Sequence, residues 1–207
     1  MNSKKEIGLF FGSFNPIHSG HLILANYVVE FTPVNELWFV VSPQNPFKKH
    51  QSLLPEIHRL AMVYRSIEND RRFKASNIEF SLPKPSYTSD TLMYLLEKYP
   101  NYKFSLIMGE DNLRTFHKWK NYEHILKNNR IYVYPRVITE QEKEASLTKV
   151  EEDNRLRNHQ NVIICDDVPV MKISASFIRT AIKEKKDVSY LLTQPVFKYL
   201  TEMHFYK

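Results

Sequence analysis

The chain contains little that would mark a secreted or membrane protein. Its 207 residues include a single cysteine, Cys165, so no disulfide bond can form within the chain, as is usual in reducing compartments. Cys165 follows an apolar run, and we expect a buried strand residue rather than a catalytic thiol. No stretch approaches the roughly 20 apolar residues of a membrane span, and the start of the chain does not resemble a signal peptide. The sequence therefore predicts a cytoplasmic protein with no membrane partner.

Glycine is also scarce, and the four present are Gly8, Gly12, Gly20 and Gly109. The sequence therefore has neither the G-x-G-x-x-G fingerprint of dinucleotide-binding folds nor the G-x-x-x-x-G-K-[ST] motif of P-loop proteins. Two of the four glycines nevertheless flank one short segment. We expect Gly12 to let the chain turn sharply out of a strand, and Gly20 to let a ligand or backbone approach the start of the next helix.

Positive charge is in modest excess but is nowhere concentrated. Lys and Arg outnumber Asp and Glu by 29 to 23, which gives a formal net charge of +6 and favours anionic ligands in general. The densest basic group is Lys48-Lys49-His50, and no arginine-rich tract with interleaved aromatic residues occurs. A nucleic-acid partner is therefore disfavoured relative to a small anion such as a nucleoside triphosphate.

Short apolar runs alternate with helical patterns along the chain. We predict strands at residues 7–11, 36–41, 73–80, 103–108, 130–134 and 161–165. The alternation indicates right-handed β-α-β units and predicts an α/β fold, a single Rossmann-like doubly wound parallel sheet with helices on both faces. One domain is expected over residues 1–207, with a charged loop or helical insertion at about residues 137–160. Ligands of such sheets bind beyond the carboxyl ends of the strands.

The loop after the first predicted strand contains two histidines, His18 and His21, at the start of a predicted helix. A helix N-terminus offers free N–H groups and partial positive charge to a phosphate, and two imidazoles would add donors. Two other interpretations stay open. The histidines could lie on the surface, or they could bind a metal, although zinc needs three or four ligands and no further motif supplies them.

Two signatures near opposite ends of the chain resemble those of a known superfamily. The first, residues 18–21 (HSGH), resembles the H-x-G-H signature of the nucleotidyltransferase α/β-phosphodiesterase superfamily. The second, residues 173–179 (ISASFIR), matches its I-S-[STA]-[ST]-x-[IV]-R signature. Their order along an α/β chain is the expected one, so the pair is a much stronger signal than either signature alone.

Three further blocks resemble the bacterial nicotinate-nucleotide adenylyltransferases of that superfamily. Residues 85–92 (PSYTSDTL) resemble their P-S-Y-T-x-x-T-L block, and residues 108–113 (MGEDNL) with Trp119 resemble their G-x-D-x-L…W block. Residues 42–48 (SPQNPFK) stand where they carry a proline-rich loop that ends in a basic residue. The resemblance extends from Ile7 to about Leu200.

Three positions depart from the pattern of that family. Asn15 replaces the commoner aspartate, although both side chains can hydrogen-bond a turn. Phe47-Lys48 replaces a Pro-His pair, so either Lys48 or Lys49 could be the phosphate ligand. Lys120 follows Trp119 where a tyrosine is frequent, which would alter one wall of the pyridine pocket.

The resemblance implies that ATP and nicotinate mononucleotide react to give nicotinate adenine dinucleotide and pyrophosphate in NAD biosynthesis, by in-line attack on the α-phosphate. Such transfers need positioning and charge neutralisation more than a protein nucleophile. It also implies Mg²⁺ bridging the triphosphate, with no metal-binding residues of the protein, and leaves a homo-oligomer open. The implied catalytic residues are His18, His21, Lys48 and Arg179. The implied ATP-binding residues are Gly12, Ser13, Phe14, Gly20, Gly109, Asp111, Ser174 and Ser176. The implied nicotinate-nucleotide-binding residues are Ser86, Tyr87, Thr88 and Trp119.

The residue types suit these roles. The planar fork of Arg179 suits a phosphate. Asp111 would meet the ribose hydroxyls, with a helix N-cap as the alternative, and Trp119 would stack on the cationic pyridine ring, with a packed core residue as the alternative. Donors around Tyr87 and Thr88 would favour a carboxylate over an amide.

Other functions stay open at this point. The acceptor could be nicotinamide mononucleotide or phosphopantetheine, although the PSYT and Trp119 blocks argue against phosphopantetheine. A silent nucleotide- or nucleic-acid-binding module is a third alternative. The joint presence of His18, His21 and Arg179 argues against it, because such a module has no need to keep them together.

Overall fold

The computed structural model describes residues 4–43, 53–135, 155–169 and 172–207. These residues form a six-stranded sheet of β1 (Lys5–Gly12), β2 (Glu36–Val41), β3 (Phe73–Ser76), β4 (Tyr102–Gly109), β5 (Ile131–Tyr134) and β6 (Val162–Ile164). The helices are α1 (Ser19–Phe31), α2 (Glu56–Ile67), α3 (Thr88–Lys98), α4 (Glu110–Arg114), α5 (Tyr122–Asn128), α6 (Ala175–Lys183) and α7 (Gln194–Glu202). Short 3₁₀ helices lie at Ile78–Ser81, Phe116–Lys118 and Ser189–Leu191.

The strand order of the sheet is β3-β2-β1-β4-β5-β6, and every pair of neighbours is parallel. The chain moves outward from β1 to β3 on one side, then returns to the centre and moves outward from β4 to β6 on the other. The winding therefore reverses between β1 and β4, and sheets of this kind bind their ligands at that switch point. The predicted doubly wound parallel sheet is confirmed.

Helices cover both faces of the sheet, as predicted. Successive side chains of a strand point to opposite faces, so Leu9 and Phe10 of β1 belong to two different hydrophobic clusters. The cluster on the face of Phe10 includes residues of α1, α2, α6 and α7. The cluster on the face of Leu9 includes residues of α3, α4 and α5.

The third strand is shorter than predicted. Residues 73–80 were predicted as one strand, but β3 ends at Ser76 and the 3₁₀ helix Ile78–Ser81 follows. Two hydrogen bonds close this turn. The Ser76 hydroxyl accepts the Ile78 N–H at 3.4 Å, and the Asn77 carbonyl accepts the Phe80 N–H at 2.9 Å. These two bonds use the N–H groups of Ile78 and Phe80 within the turn, so the strand ends at Ser76.

A buried carboxylate braces the sheet near the amino ends of its strands, away from the switch point. Glu6 is 6% exposed. Its Oε1 accepts hydrogen bonds from Ser105 at 2.5 Å and Tyr132 at 3.2 Å, and its Oε2 accepts one from Arg130 at 3.0 Å. These contacts join β1, β4 and β5 through side chains.

The predicted charged insertion falls mostly outside the described residues. Of residues 137–160, the structure describes only 155–160, where a short helical turn buries Leu156. Among the described helices, none combines the length and the apolar character needed to cross a membrane.

Candidate active site

A narrow crevice lies at the switch point, beyond the carboxyl ends of β1 and β4. Its volume is about 40 Å³. It is lined by Phe10, Phe11, Leu106, Ile107, Met108, Asn112, Trp119 and Tyr134. The crevice therefore lies where a parallel sheet places its ligands. Its walls come from the strands, from the segment after β4 and from the tryptophan of the G-x-D-x-L…W block.

The loop between β1 and α1, residues 13–18, has its left-handed backbone conformation at Phe14 rather than at Gly12. Phe14 has φ 45°, and none of the four glycines, all of which lie in the described ranges, has a positive φ. Gly12 matters for a different reason. A Cβ at this position would lie 2.8 Å from the Phe14 ring, which is buried against Phe10 and His21. Gly12 therefore does not use the positive φ that glycine permits, and its missing side chain makes room for an aromatic ring.

His18 and His21 form one stacked pair at the start of α1. Their ring centroids are 3.7 Å apart, with 28° between the planes. The His18 backbone N–H donates to His21 Nδ1 at 3.2 Å, so the neutral His21 ring carries its proton on Nε2, where it can serve a ligand. Gly20 permits this arrangement, since a Cβ there would lie 3.1 Å from His18 Nδ1.

His18 is buried, which excludes the surface-histidine interpretation for this residue. It is 6% exposed, and burial lowers its pKa to about 4, so the ring is neutral near pH 7. Its Nδ1 has no hydrogen-bond partner among the residues that the structure describes. Across those same ranges, no group of three or more His, Cys, Asp or Glu side chains is arranged to hold a metal ion. The buried ring of His18 is therefore neutral, whereas its stacked partner His21 is only partly buried.

The second signature packs directly against the loop of the first. Ser174 caps α6, because its Oγ accepts the Phe177 N–H at 3.1 Å. The Arg179 guanidinium donates from Nη1 to the Asn15 carbonyl at 2.8 Å and from Nη2 to Ser176 Oγ at 3.2 Å. Two sequence motifs separated by about 160 residues thus meet through one arginine, beside the histidine pair.

Asn15, the departure from the family pattern, fastens the same loop to two distant segments. It is 2% exposed, and its Oδ1 accepts hydrogen bonds from the Tyr206 hydroxyl at 2.6 Å and from the Leu54 N–H at 3.3 Å. Burial raises the pKa of Tyr206, so the phenol remains a donor. Nothing in the sequence linked Tyr206 to the site, since 191 residues separate it from Asn15.

Arg59 of α2 is a second residue that sequence analysis missed. It is 1% exposed and donates four hydrogen bonds. The acceptors are the carbonyls of Ser13 at 2.7 Å, Ser42 at 2.8 Å, Pro43 at 3.1 Å and Leu54 at 2.9 Å. It therefore joins the loop after β1 to the loop after β2. The predicted basic ligands Lys48 and Lys49, further along the loop after β2, lie outside the described residues.

Gly109 and Asp111 lie where β4 passes into α4. Gly109 is the N-cap of α4, so Asp111 occupies the first turn and is not the cap residue that the alternative interpretation required. A Cβ at Gly109 would lie 2.5 Å from Asp111 Oδ1 and 3.2 Å from the Tyr134 ring. The absence of a side chain at Gly109 thus lets the Asp111 carboxylate fold back towards the end of β4.

The PSYT block forms the start of α3. Tyr87 is the N-cap residue and Thr88 the first helical residue, so the free N–H groups of the helix start lie here. The Ser86 hydroxyl is buried and unpartnered within the described ranges. Lys120 lies beside this helix start, with Nζ 2.9 Å from Asp90 Oδ2 and 5.0 Å from the centroid of the Tyr87 ring.

A buried carboxyl group supports the α3 start. Glu79 is 2% exposed, and its Oε1 accepts a hydrogen bond from Thr91 at 3.0 Å. Thr91 is also 3.3 Å from the Tyr87 carbonyl, so it connects the buried acid to the PSYT block. Burial raises the pKa of Glu79 against the opposing hydrogen bonds of Ser42 and Thr91.

Trp119 packs on the core and also lines the crevice. Its ring packs against Phe116 with centroids 5.3 Å apart, yet the side chain is only partly buried and lines the crevice. One part of the indole is therefore held by the core while another part is available to a ligand.

The fold and this set of loops define a class, the α/β nucleotidyltransferases whose nucleotide site lies at the switch point of a parallel sheet. Comparison with known proteins agrees. The cytidylyltransferase-like family matches residues 9–181. A protein of Christiangramia forsetii named "Probable nicotinate-nucleotide adenylyltransferase" is 49% identical over 98% of this chain and 99% of its own. A protein of Flavobacterium johnsoniae with the same name is 50% identical, again over 98% and 99%.

Solved structures share the fold. The Plasmodium falciparum nicotinic acid mononucleotide adenylyltransferase complexed with NaAD superimposes with a TM-score of 0.74 at 20% identity, covering 98% of this chain and 97% of that one. The same enzyme complexed with APC gives a TM-score of 0.73. The chain therefore belongs to the cytidylyltransferase-like family and, within it, to the nicotinate-nucleotide adenylyltransferases, as the sequence resemblance predicted.

Proposed function

We propose that this chain transfers the adenylyl group of ATP to nicotinate mononucleotide, giving nicotinate adenine dinucleotide and pyrophosphate in NAD biosynthesis. The observation that carries the proposal is the hydrogen bond from Arg179 to the Asn15 carbonyl, which brings the two signatures together beside His18 and His21. The names of relatives that are 49% and 50% identical over nearly the whole chain support the same reaction.

The phosphates of ATP would bind between the start of α1 and the start of α6. His21 Nε2–H, the neutral His18 ring and the Arg179 guanidinium are donors or positive charges suited to phosphate oxygens. Lys48 would add a further cation, and Ser174 and Ser176 would add donors at the start of α6. The groups among the described residues, His18, His21 and Arg179, are held in place by the fold, so they would stabilise charge that develops on the departing pyrophosphate with little reorganisation.

The nicotinate nucleotide would bind across the crevice, at the start of α3. Free N–H groups of the helix start at Tyr87 and Thr88 would receive the pyridine carboxylate, and the exposed part of Trp119 would stack on the cationic ring. Asp111 would accept hydrogen bonds from the ATP ribose. This arrangement leaves the mononucleotide phosphate free to attack the α-phosphorus directly, without a covalent enzyme intermediate.

Mg²⁺ would accompany ATP rather than occupy a site made by the protein. The described residues hold no cluster of three or more His, Cys, Asp or Glu side chains that could ligate a metal, and Mg²⁺ commonly keeps waters and substrate phosphates as its ligands. The ion would neutralise charge on the triphosphate. We also propose that residues 1–207 act as one domain in the cytoplasm, with small-molecule substrates and no nucleic-acid partner.

Pyrophosphate release by the purified protein tests this proposal. ATP and Mg²⁺ would be supplied with nicotinate mononucleotide, with nicotinamide mononucleotide or with phosphopantetheine. Release that is fastest with the acid, together with the dinucleotide identified by mass, is the expected result. Preference for the amide would overturn the assignment of the carboxylate to the start of α3. Release with phosphopantetheine alone, or with none of the three, would overturn the proposed acceptor.

A further inference from the structure

Arg59 is a charged residue whose side chain is almost completely buried. At 1% exposure it is as inaccessible as the central apolar residues, and charged side chains are almost never fully buried unless they are paired. Burying a charge is costly, and burial lowers the pKa of this guanidinium, an effect that the nearby Glu56 carboxylate opposes. Among the described residues, its hydrogen-bond acceptors are all backbone carbonyls.

The four carbonyls belong to segments that reach the site from different directions. Ser13 follows β1 and begins the loop that contains the histidine pair. Ser42 and Pro43 follow β2 and begin the loop after it, and Leu54 lies just before α2. One guanidinium therefore sets the distance between the ends of two neighbouring strands and the loops that leave them.

The loop between β1 and α1 is held by arginines at two points. Arg59 binds the Ser13 carbonyl at 2.7 Å, and Arg179 binds the Asn15 carbonyl at 2.8 Å. Between these anchors lies Phe14, whose φ of 45° is a conformation that aromatic residues rarely adopt. Such a conformation persists only when the surroundings determine it, and the two guanidinium groups supply that constraint.

We propose that Arg59 is a positioning residue for ATP binding. It touches no substrate. Its fork fixes the loop between β1 and α1 against the start of the loop after β2, so that His18 and His21 meet the triphosphate in the correct place. Arginine is required because five N–H donors in one plane can reach four acceptors at once, whereas the three donors of a lysine cannot. The inference rests on the proposed function.

The test compares Arg59→Lys and Arg59→Gln with Arg130→Lys and Arg130→Gln. Arg130 also hydrogen-bonds within the fold, but to Glu6 near the amino ends of the strands, and its side chain is 38% exposed, so it is a control for loss of a structural arginine away from the site. MgATP affinity would be measured by calorimetry without an acceptor, followed by KM for nicotinate mononucleotide and the melting temperature. Small displacements of a positioning group reduce reaction rates up to about 100-fold.

We expect Arg59→Lys to fold and to bind MgATP about tenfold more weakly, a free-energy change of about 1.4 kcal/mol, and Arg59→Gln to bind it more weakly still. KM for the mononucleotide should change about twofold or less, since its site is assembled by α3 and Trp119. The Arg130 variants should lower the melting temperature and retain wild-type MgATP affinity.

Three results would overturn the proposal. One is wild-type MgATP affinity in Arg59→Lys. Another is weaker binding of both substrates, in proportion to the loss of stability, because a purely structural residue would affect both equally. The third is failure of both Arg59 variants to fold. The calorimetric comparison needs no acceptor, so wild-type protein that binds MgATP but does not use nicotinate mononucleotide would overturn the proposed acceptor without affecting this test.

Discussion

At the scale of single residues, the site depends on glycines that make room for rings rather than on glycines that bend the chain. Gly12 lies under the Phe14 ring and Gly20 lies under the His18 ring. Each ring in turn packs on His21. The position of His21 therefore depends on two glycines. A methyl group at either position would displace a ring that packs on the His21 imidazole.

Gly12→Ala should reduce turnover more than Gly8→Ala. Both positions are in β1, and an added Cβ would be crowded at each, at 2.8 Å from the Phe14 ring and at 2.7 Å from Ile107 Cδ1. The end of an isoleucine can rotate aside, whereas the Phe14 ring is fixed between His21 and Phe39. Both variants should lose about 1–3 kcal/mol of stability, but only Gly12→Ala should lose about tenfold or more in kcat/KM. Equal activities at equal stability would contradict this account of the loop.

The buried imidazole of His18 makes stability depend on pH. Its folded-state pKa of about 4 lies below the ordinary 6.5, so the unfolded chain binds the additional proton between these values. Stability should therefore be fully present above about pH 6.5, fall as the pH is lowered towards 4, and change no further from this source below that. The shift corresponds to at most about 3 kcal/mol.

Chemical denaturation at a series of pH values measures this dependence. His18→Gln should flatten the curve of unfolding free energy between about pH 4 and 6.5, whereas His124→Gln, at an exposed position of α5, should leave its slope unchanged. An unaltered slope in His18→Gln would show that the buried histidine does not titrate as its environment requires.

At the scale of elements, helix starts carry most of the site. Helices α1, α3 and α6 each begin inside one of the motifs that the sequence revealed. The N-caps of α6 and α7 differ. Ser174 caps α6 with a side-chain hydrogen bond, whereas Thr193 at the start of α7 makes none. Two N-cap positions of different type therefore allow a controlled comparison.

Ser174→Ala should destabilise the protein by about 1 kcal/mol, because the Phe177 N–H loses its acceptor. It should also weaken MgATP binding, since the first turn of α6 positions Ser176 and Arg179. Thr193→Ala removes a hydroxyl that forms no capping bond and should cost clearly less. Denaturant titration and calorimetry would measure both effects. A Ser174→Ala protein with lower stability and unchanged ATP affinity would show that the cap stabilises the fold but does not contribute to ATP binding.

The Trp119 side chain, between α4 and α5, allows a test of which of the two substrates it contacts. Trp119→Ala should raise KM for the mononucleotide by about tenfold, the loss of a stacking contact worth about 1–2 kcal/mol, with a much smaller effect on ATP. Steady-state kinetics with each substrate varied in turn would measure the two effects. Equal losses for both substrates would count against stacking and favour a purely structural tryptophan.

At the scale of the whole molecule, the thiol of Cys165 reports on opening of the sheet edge. It is 6% exposed, and burial raises its pKa to about 11. A thiol-specific reagent at about pH 8 should therefore leave the native protein unmodified, because the reactive thiolate is nearly absent, and should label the denatured chain fully. Cys165→Ser should keep turnover. Fast labelling of the native protein, or loss of turnover in the variant, would restore the catalytic interpretation of this cysteine.

Much of the fold could be predicted because local patterns coincide with the tertiary structure. Strand β2 was predicted with its observed bounds, since a continuous apolar run is what a strand buried on both faces requires. Strand β3 was predicted too long because apolar residues recur as far as Phe80, although the alternation of Phe73 and Ala75 shifts by one residue at Ile78 and Phe80, and a turn between Ser76 and Phe80 ends the strand. The hydrophobic pattern of a sequence indicates which residues are buried, but it does not show where polar groups end the hydrogen bonding between strands.

The candidate site was predictable only where it is encoded in contiguous motifs. His18 and His21 share a segment of four residues, and Arg179 lies in a recognisable block. Arg59 and Tyr206 reach the same loop from 46 and 191 residues away, through backbone carbonyls and an amide oxygen that leave no local pattern. The sequence therefore predicts groups that face a substrate better than groups that position them.

The most direct test of the central claim is the turnover of His21→Ala under saturating ATP, Mg²⁺ and nicotinate mononucleotide. Circular dichroism and the melting temperature would establish that the variant is folded, with His124→Ala as the control. Loss of one fixed donor to the reacting phosphates should reduce kcat by about 100-fold or more, while His124→Ala retains wild-type turnover. A folded His21→Ala protein with near-normal turnover would contradict the assignment of adenylyl transfer to the histidine pair at the switch point.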